Sequence, residues 1–589
     1  LGTSTLDIMA NSQDSRFTGA LDGSGMFQIS TDASEDDTFT LGTNKISTDY
    51  TSDAYSYTGM FNIADANLAL ETVAGDEGDR LINVFDGPGD IRKTGEGTLT
   101  FGDNGTTLSA MLSPHDGALE IADGILALDT SAGNYTLTHD YLKGAGTLGI
   151  KGDGTHTLTL TGDWDAFGDF TGDVRVFDNG RFIVGADDSL GDDNAVHVDA
   201  GGLLQLEAAE GFGSLSGQGT FDLATHSAGV GADNDNATFS GQVTGSGSLT
   251  KNGAGTWTLG GTGSDGDINT PEDVLDGFSG NLVISAGTVA FDTIAGDATI
   301  DTTITGAGGI EKTGANTLSF SSINTYTGGT TLTGGTLSID ADADLGAASG
   351  DITFNGGTLA STNTLTLASS ATLAITGAGT LTINATNTFS GLYDVSAGTL
   401  KIGTGNTLDA DATVNLDGTG TILDLSAESE EFGILTGTGR VKLDDATIGL
   451  GHDSAGADFT FAGIIGETDD TGGLTKAGGG NLTLTGTSVY QGDTVIDGGT
   501  LTFGHATNTL RANSDIFINN DSTLAIGSNS DTVGAITLNS GNITGTTGTL
   551  TGSSYTVKSG NISAQLGGTN VTLTKSGSGT VTLAGDNSY

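Results

Sequence analysis

The sequence predicts an all-β chain whose short strands stack in successive coils, and three observations lead there. First, apolar and polar residues alternate over short runs: Leu482 and Leu484 point one way, Thr483 and Thr485 the other. That period of two is the strand signal. Second, the same unit recurs along the chain; alone it cannot bury its apolar face, but stacked on its copies it can. Third, Gly numbers 99 and Pro only 3, which suits many tight corners between paired strands and argues against a Pro-rich disordered stalk.

The organising unit is residues 472–503, GGLTKAGGGNLTLTGTSVYQGDTVIDGGTLTF. It reads as two short strands, a Gly-rich turn and a third strand, with Gly478, Gly479 and Gly480 supplying backbone freedom before the second strand. Residues 304–340 repeat it, and Lys312 precedes Tyr326 by the same interval as Lys476 precedes Tyr490. Lys251 sits in the same place ahead of Trp257, and Lys93 lies in DIRKTGEGTLTF. Lys575 stands before Tyr589 at that same Lys-to-Tyr interval. A shorter relative, residues 375–402, lacks the Lys.

These units resemble the passenger-associated transport repeat of bacterial autotransporters, the type V secreted proteins, and are similar to those of self-associating adhesins. The likeness is close over the five Lys-bearing units and looser between them. It departs at 260–277, where an acidic loop is inserted, and before about Asp90, where no copy is recognisable. The resemblance implies a right-handed, single-stranded parallel β-helix, an elongated β-solenoid exposed at a Gram-negative cell surface or released from it. It also implies domain limits: residues 1–89 as an acidic amino-terminal cap or degenerate layers, and 90–589 as the repeat-bearing helix. A cap is physically useful, because an open stack presents an unpaired strand edge. Leu1-Gly2-Thr3 carries no leader, and Tyr589 stops where other copies continue. The natural chain is therefore expected to run on, with a membrane barrel fitting the part after Tyr589. At roughly 20–25 residues per layer, about 25 layers are expected.

Composition excludes several functions. Acidic residues number 73 against 18 Lys and Arg, a net charge of −55. Nucleic acid needs a basic footprint that this chain lacks, and the overall field disfavours anionic lipid and sulfated chains. With no cysteine, disulfides, thiolate metal sites and Cys nucleophiles are impossible. No apolar run is long enough to span a bilayer as a helix.

In chain order, residues 163–173 (DWDAFGDFTGD) concentrate Trp164, Phe167 and Phe170 among acids. They read as a buried aromatic stack rather than an exposed sugar platform. Residues 187–206, 344–359 and 408–423 fit ordinary layers. ESEEF at 428–432 and ETDD at 467–470 read as protruding, solvated loops. Asn561 and Asn570 are expected to stack as side-chain ladders at corners.

Chemistry is sparse. There is no G-x-S-x-G elbow, and the seven histidines show no H-E-x-x-H. His139-Asp140 and His452-Asp453 are adjacent, but neighbours on a strand face opposite ways, so both pairs read as exposed turn residues. The lysines Lys93, Lys251, Lys312, Lys476 and Lys575 share one register. They are expected to orient corners by pairing with backbone carbonyls or acids, each weakly where exposed. Asp340, Asp342, Asp344 and Asp351 mimic positions of a calcium loop, but Leu345 replaces the turn Gly. Residues 260–268 resemble one nonapeptide calcium repeat that normally works in tandem. No catalytic, cofactor or metal residue is assigned.

The expected function is adhesion through a long lateral face, by self-association between neighbouring cells or by attachment to host-surface or matrix molecules. A polysaccharide-cleaving β-helix enzyme and a passive stalk are the alternatives. The first would need carboxylates converging in a groove.

Overall fold

The computed structural model describes four strands before residue 60 (Leu6–Ala10, Ser15–Phe17, Met26–Thr31 and Thr38–Gly42). From Met60 on it describes all but residues 64–66, 72–78, 82, 103–104, 114, 139–141, 163–169, 188, 263–267, 340–341, 348–349, 357, 362–371, 384–388, 404–407, 427, 454–455 and 507–508. The chain is an all-β solenoid of about 21 parallel coils and divides into two compact units, Leu1–Gly308 and Gly309–Tyr589. Coils are fewer than the sequence suggests because some are long. In the first unit the coil from Val196 to its partner Leu215 is short, whereas the one from Leu148 to Val174 is longer. The coil that carries the acidic insertion is longer still, running from Trp257 to Val289.

That insertion holds structure of its own. Residues Pro271–Leu275 form a short helix, closed by a capping box in which the Thr270 side chain accepts from Asp273 N–H and the Asp273 side chain accepts from Thr270 N–H. Pro at the first turn suits this start, and Val274 and Leu275 are buried.

Alternation fixes what faces inward. In the second unit Asn481–Leu484 pairs in parallel with Thr500–Phe503, Leu482 on Leu501 and Leu484 on Phe503. All four apolar side chains are buried, and the intervening Thr residues are not. In the first unit Phe61, Phe85 and Phe101 stack at centroid spacings of 5.4 and 5.3 Å. Trp257 is buried, and its indole N–H donates to the Leu215 carbonyl at 3.0 Å.

The repeat lysines bind carbonyls as expected, but from inside the coil rather than at its surface. Lys93, Lys251, Lys312 and Lys476 are at most 1% exposed. Each sits in phase with a core residue, as in Leu474-Thr475-Lys476, whose burial alternates buried, half-buried, buried. The Lys476 ammonium donates to the carbonyls of Ala477, Gly478 (3.2 Å) and, one coil on, Gly498 (3.4 Å). Lys312 does the same with Thr313, Gly314 and Gly334, and Lys93 with Thr94, Gly95 and Asp123. Lys251 binds Asn252 and Gly253. Lys575, which is exposed, holds Ser576 and Gly577. A buried charge is tolerable only with such partners. The recurring spacing to Tyr has a parallel use: Tyr326 and Tyr490 are buried with their hydroxyls 2.6 and 2.7 Å from Thr330 and Thr494.

Buried acids close other corners. Glu210 accepts the N–H groups of Ser189 and Leu190, Glu430 that of Leu408, and Asp531 that of Leu510. The solvated-loop expectation for residues 428–432 is thus corrected: Glu430–Phe432 is a strand, with Glu430 and Phe432 buried and Glu431 outward. Residues 467–470 do turn outward at Thr468 and Asp469, but Asp470 is buried and accepts from Leu443 and Glu467 N–H. Polar ladders run between coils: Asn519 donates to Asp497 (2.7 Å) and Asn539 to Asn519 (2.6 Å). Asn561 donates to Asn542, whereas Asn570 takes φ 60°, a left-handed corner.

Three outcomes follow. Leu482→Ala should cost about 2–5 kcal/mol and reduce amide-exchange protection in the strands Phe459–Phe461 and Thr500–Phe503 that flank it. Burial lowers the Lys93 ammonium to about 8 from 10.5. Between those values the unfolded chain holds a proton that the folded chain has lost, so stability rises with pH. Denaturation midpoints from pH 8 to 10 should show a smaller rise in Lys93→Met than in the parent. Burial pushes the Glu430 carboxyl up to about 7 from 4.5. Here the folded state holds the extra proton, so stability falls as pH rises across that window. Glu430→Gln keeps the acceptor for Leu408 N–H; it should flatten that fall and make the protein more stable than the parent at pH 8.

Candidate functional site

The residues singled out in the sequence do not converge. His139-Asp140, Trp164, Phe167 and Asp340 lie outside the described residues. Phe170 is 1% exposed, a core residue. His452 and Asp453 act apart. Asp453 is buried and accepts Ala457 N–H at 2.8 Å, so it is a turn cap rather than an exposed residue, while His452 Nε2 stands 3.9 Å from Glu431. In the calcium-like stretch, Asp342–Leu345 is a 3-10 turn. Asp344 is buried near the Tyr326 phenol, its carbonyl accepts from Asn324, and the Asp351 carboxylate accepts from Thr372 N–H. Among the described residues no three His, Asp or Glu are grouped to hold a metal ion.

The structure instead brings together residues that the linear sequence keeps apart. In the first unit the central positions of successive strands Thr98–Phe101, Ile125–Asp129, Thr147–Lys151, Val174–Val176, Val196–Val198 and Leu215–Gly217 align as Thr100, Ala127, Gly149, Arg175, His197 and Ser216, the first three covered and the last three reaching solvent. The Arg175 guanidinium makes a two-point contact with Asp199, each nitrogen at 2.9 Å. Asp199 lies 2.8 Å from His197 Nε2, and His197 Nδ1 lies 2.8 Å from Ser216 Oγ. Only coil register could reveal this, since Arg175, His197 and Ser216 stand on three successive coils.

A Ser, His and Asp in one chain of hydrogen bonds invites comparison with acyl-transfer sites, but the surroundings differ. Asp199 is shared with a guanidinium, and the amides of Gln218 and Gly219 donate to the Val198 carbonyl at 2.7 and 2.9 Å. The amides just beyond Ser216 are therefore engaged, where an acyl-transfer centre needs donors aimed at a developing oxyanion. What the chain of bonds does is fix the orientation of polar side chains along the face.

Beside that row lies a recess of about 580 Å³. Small side chains make the room. A Cβ on Gly149 would stand 2.9 Å from Phe177 Cε1, so the missing side chain lets the ring lie against the sheet. The Arg175 guanidinium is 5.5 Å from the ring centroid. Lys151 pairs with Asp178 at 3.0 Å, and Asp178 and Asn179 turn the corner with φ of 48° and 59°. A second recess of about 400 Å³ follows toward the helix Pro271–Leu275, and Gln218 lines both. In the second unit a recess of about 800 Å³ is walled by Asp444, Asp445, Glu467, Asp469 and Asp470, with Arg440.

Comparison with known proteins agrees with this architecture. The passenger-associated transport repeat family matches residues 91–128, 249–291, 310–339, 376–402, 474–503 and 573–589, the segments that carry the caged lysines and the shorter copy without one. The chain is 32% identical over 212 residues to the adhesin BmaC autotransporter of Brucella suis biovar 1 (strain 1330). The matched stretch is 36% of this chain and 5% of that protein, so the chain spans a small part of its relative's length. No solved structure matches it significantly. Repeats placed in successive parallel coils, together with this relative, support an autotransporter passenger domain.

Proposed function

We propose that this passenger is an adhesin, displayed on the bacterial surface or released from it, that works through its lateral faces. It would join cells into aggregates or biofilm, or attach them to host-surface or matrix molecules. The observation that carries this reading is the outward face itself. Hydroxyl, amide and carboxylate groups are tied coil to coil, as Asp394 to Asn415 to Thr436 (2.8 and 3.0 Å), so the surface presents a repeated, ordered set of donors and acceptors. The relative's name as an adhesin supports the same class. The buried Lys476 ammonium and one oxygen of the buried Glu430 carboxyl are engaged with backbone at corners, a structural use.

The charge of −55 sets the conditions. Two such faces repel over about 30 Å at 10 mM salt but only about 8 Å at 150 mM. Beads coated with the chain should therefore clump more as salt is raised through that range. Absence of clumping at every ionic strength would remove self-association. Absence of attachment to host cells or matrix as well would remove adhesion.

A further inference from the structure

We propose that the paired recesses on the first unit form a trough that binds a neutral saccharide chain. The inference deepens the adhesive reading, and rests on it, by naming the ligand class of one face. The two recesses are neighbours, with Gln218 lining both. They run past the strands from Thr98–Phe101 to Ala237–Phe239, six steps of about 4.8 Å, or roughly 30 Å. A length of that order suits an extended polymer rather than a single small molecule.

The chemistry of the wall selects the class. Phe177 is half-buried, lies on the sheet over Gly149 and has the Arg175 guanidinium 5.5 Å from its ring centroid, so the part of the ring left open is an apolar edge against which the C–H side of a sugar ring can pack. Beside it the donors and acceptors are dense and held in place. Arg175 is locked to Asp199, and Lys151 to Asp178. Each cation of the first recess is matched by a carboxylate, so that patch is near neutral in a chain of net charge −55, while the second recess adds Asp273 and Asp276 and no cation. An anionic polymer would meet that field with no surplus of positive charge to offset it. A hydroxyl-rich neutral chain meets alternating donors and acceptors without a charge to desolvate.

One atom on the wall is unsatisfied. The Gln218 side-chain nitrogen is buried and has no hydrogen-bond partner, a condition that costs free energy; turning the half-buried side chain toward the recess would let a ligand oxygen relieve it. Gln218 lines both recesses, so a bound chain would pass it between one and the other. An extended peptide would instead look for an open strand edge, whereas this face is the middle of a fully paired parallel sheet.

The test uses the whole purified chain against immobilised neutral oligosaccharides from host glycans and from bacterial surface polysaccharides, with uronic-acid polymers and extended peptides beside them. The host and bacterial arms identify the source. At least one neutral saccharide should bind, and both Phe177→Ala and Gln218→Ala should weaken it at least tenfold. Glu467→Gln, in the other unit, should leave it unchanged. Unaltered thermal unfolding of each variant separates loss of a contact from loss of fold; Gln218→Ala, a polar change at a corner, supplies the reading if Phe177→Ala does not fold. The proposal is overturned by no neutral saccharide binding at millimolar concentration, by binding that both variants retain, or by preference for uronic-acid polymers or peptides. Bead clumping or cell attachment measured on the same proteins keeps the two readings apart: adhesion without saccharide binding sinks the trough and leaves the adhesin standing.

Discussion

Each coil of this protein satisfies its backbone by hydrogen bonding to the coils on either side, and that obligation shapes everything else. Strands meet it through the parallel ladder. Corners cannot, because there the carbonyls and N–H groups turn away from the ladder direction, and a buried orphan is costly. The solution is to send polar side chains into the interior. Lysine ammonium groups gather corner carbonyls at Lys93, Lys312 and Lys476. Carboxylates gather corner amides at Glu210, Glu430 and Asp531. The two devices are complementary, one all donor and the other all acceptor.

The same geometry separates the duties of inside and outside. Period-two alternation gives the core Leu, Ile, Val and Phe and hands the exterior Thr, Asn, Asp and Ser. Register between coils then lines the outward residues into columns, so a short polar motif becomes an extended surface. The column through Gly149, Arg175, His197 and Ser216 shows the result. Residues from four coils form one connected face that no single coil could build.

Much of this was legible. Alternation around Leu482 and Leu484, and the recurrence of the Lys-to-Tyr spacing, carry the coiled all-β architecture, because periodicity reports directly on which side chains share a face. Burial of charged residues was not legible from charge alone. ESEEF looks like a solvated run until phase is considered: Glu430 alternates with Phe432 and so points inward with it. Lys476 and Lys312 follow the same rule with Leu474 and Ile310. Phase with a neighbouring apolar residue was the available signal. The trough had no such signal. Its parts lie at Thr100, Gly149, Arg175 and Gln218, and their meeting depends on coils of unequal length, as the pairings of Val196 with Leu215 and of Leu148 with Val174 show.

The lysine cages also give the stack a direction. In Lys93, Lys312 and Lys476 the third carbonyl comes from later in the chain, at Asp123, Gly334 and Gly498. An ammonium placed in one coil is therefore only partly coordinated until its successor is laid down. The vacant bonding direction points toward the carboxyl-terminal side, where the newest turn of chain arrives if assembly proceeds from the first residue to the last. Growth in that order lets each of these layers present a cation as the dock for the next, whereas growth in reverse presents a single carbonyl, and the incoming lysine brings the other two with its own coil.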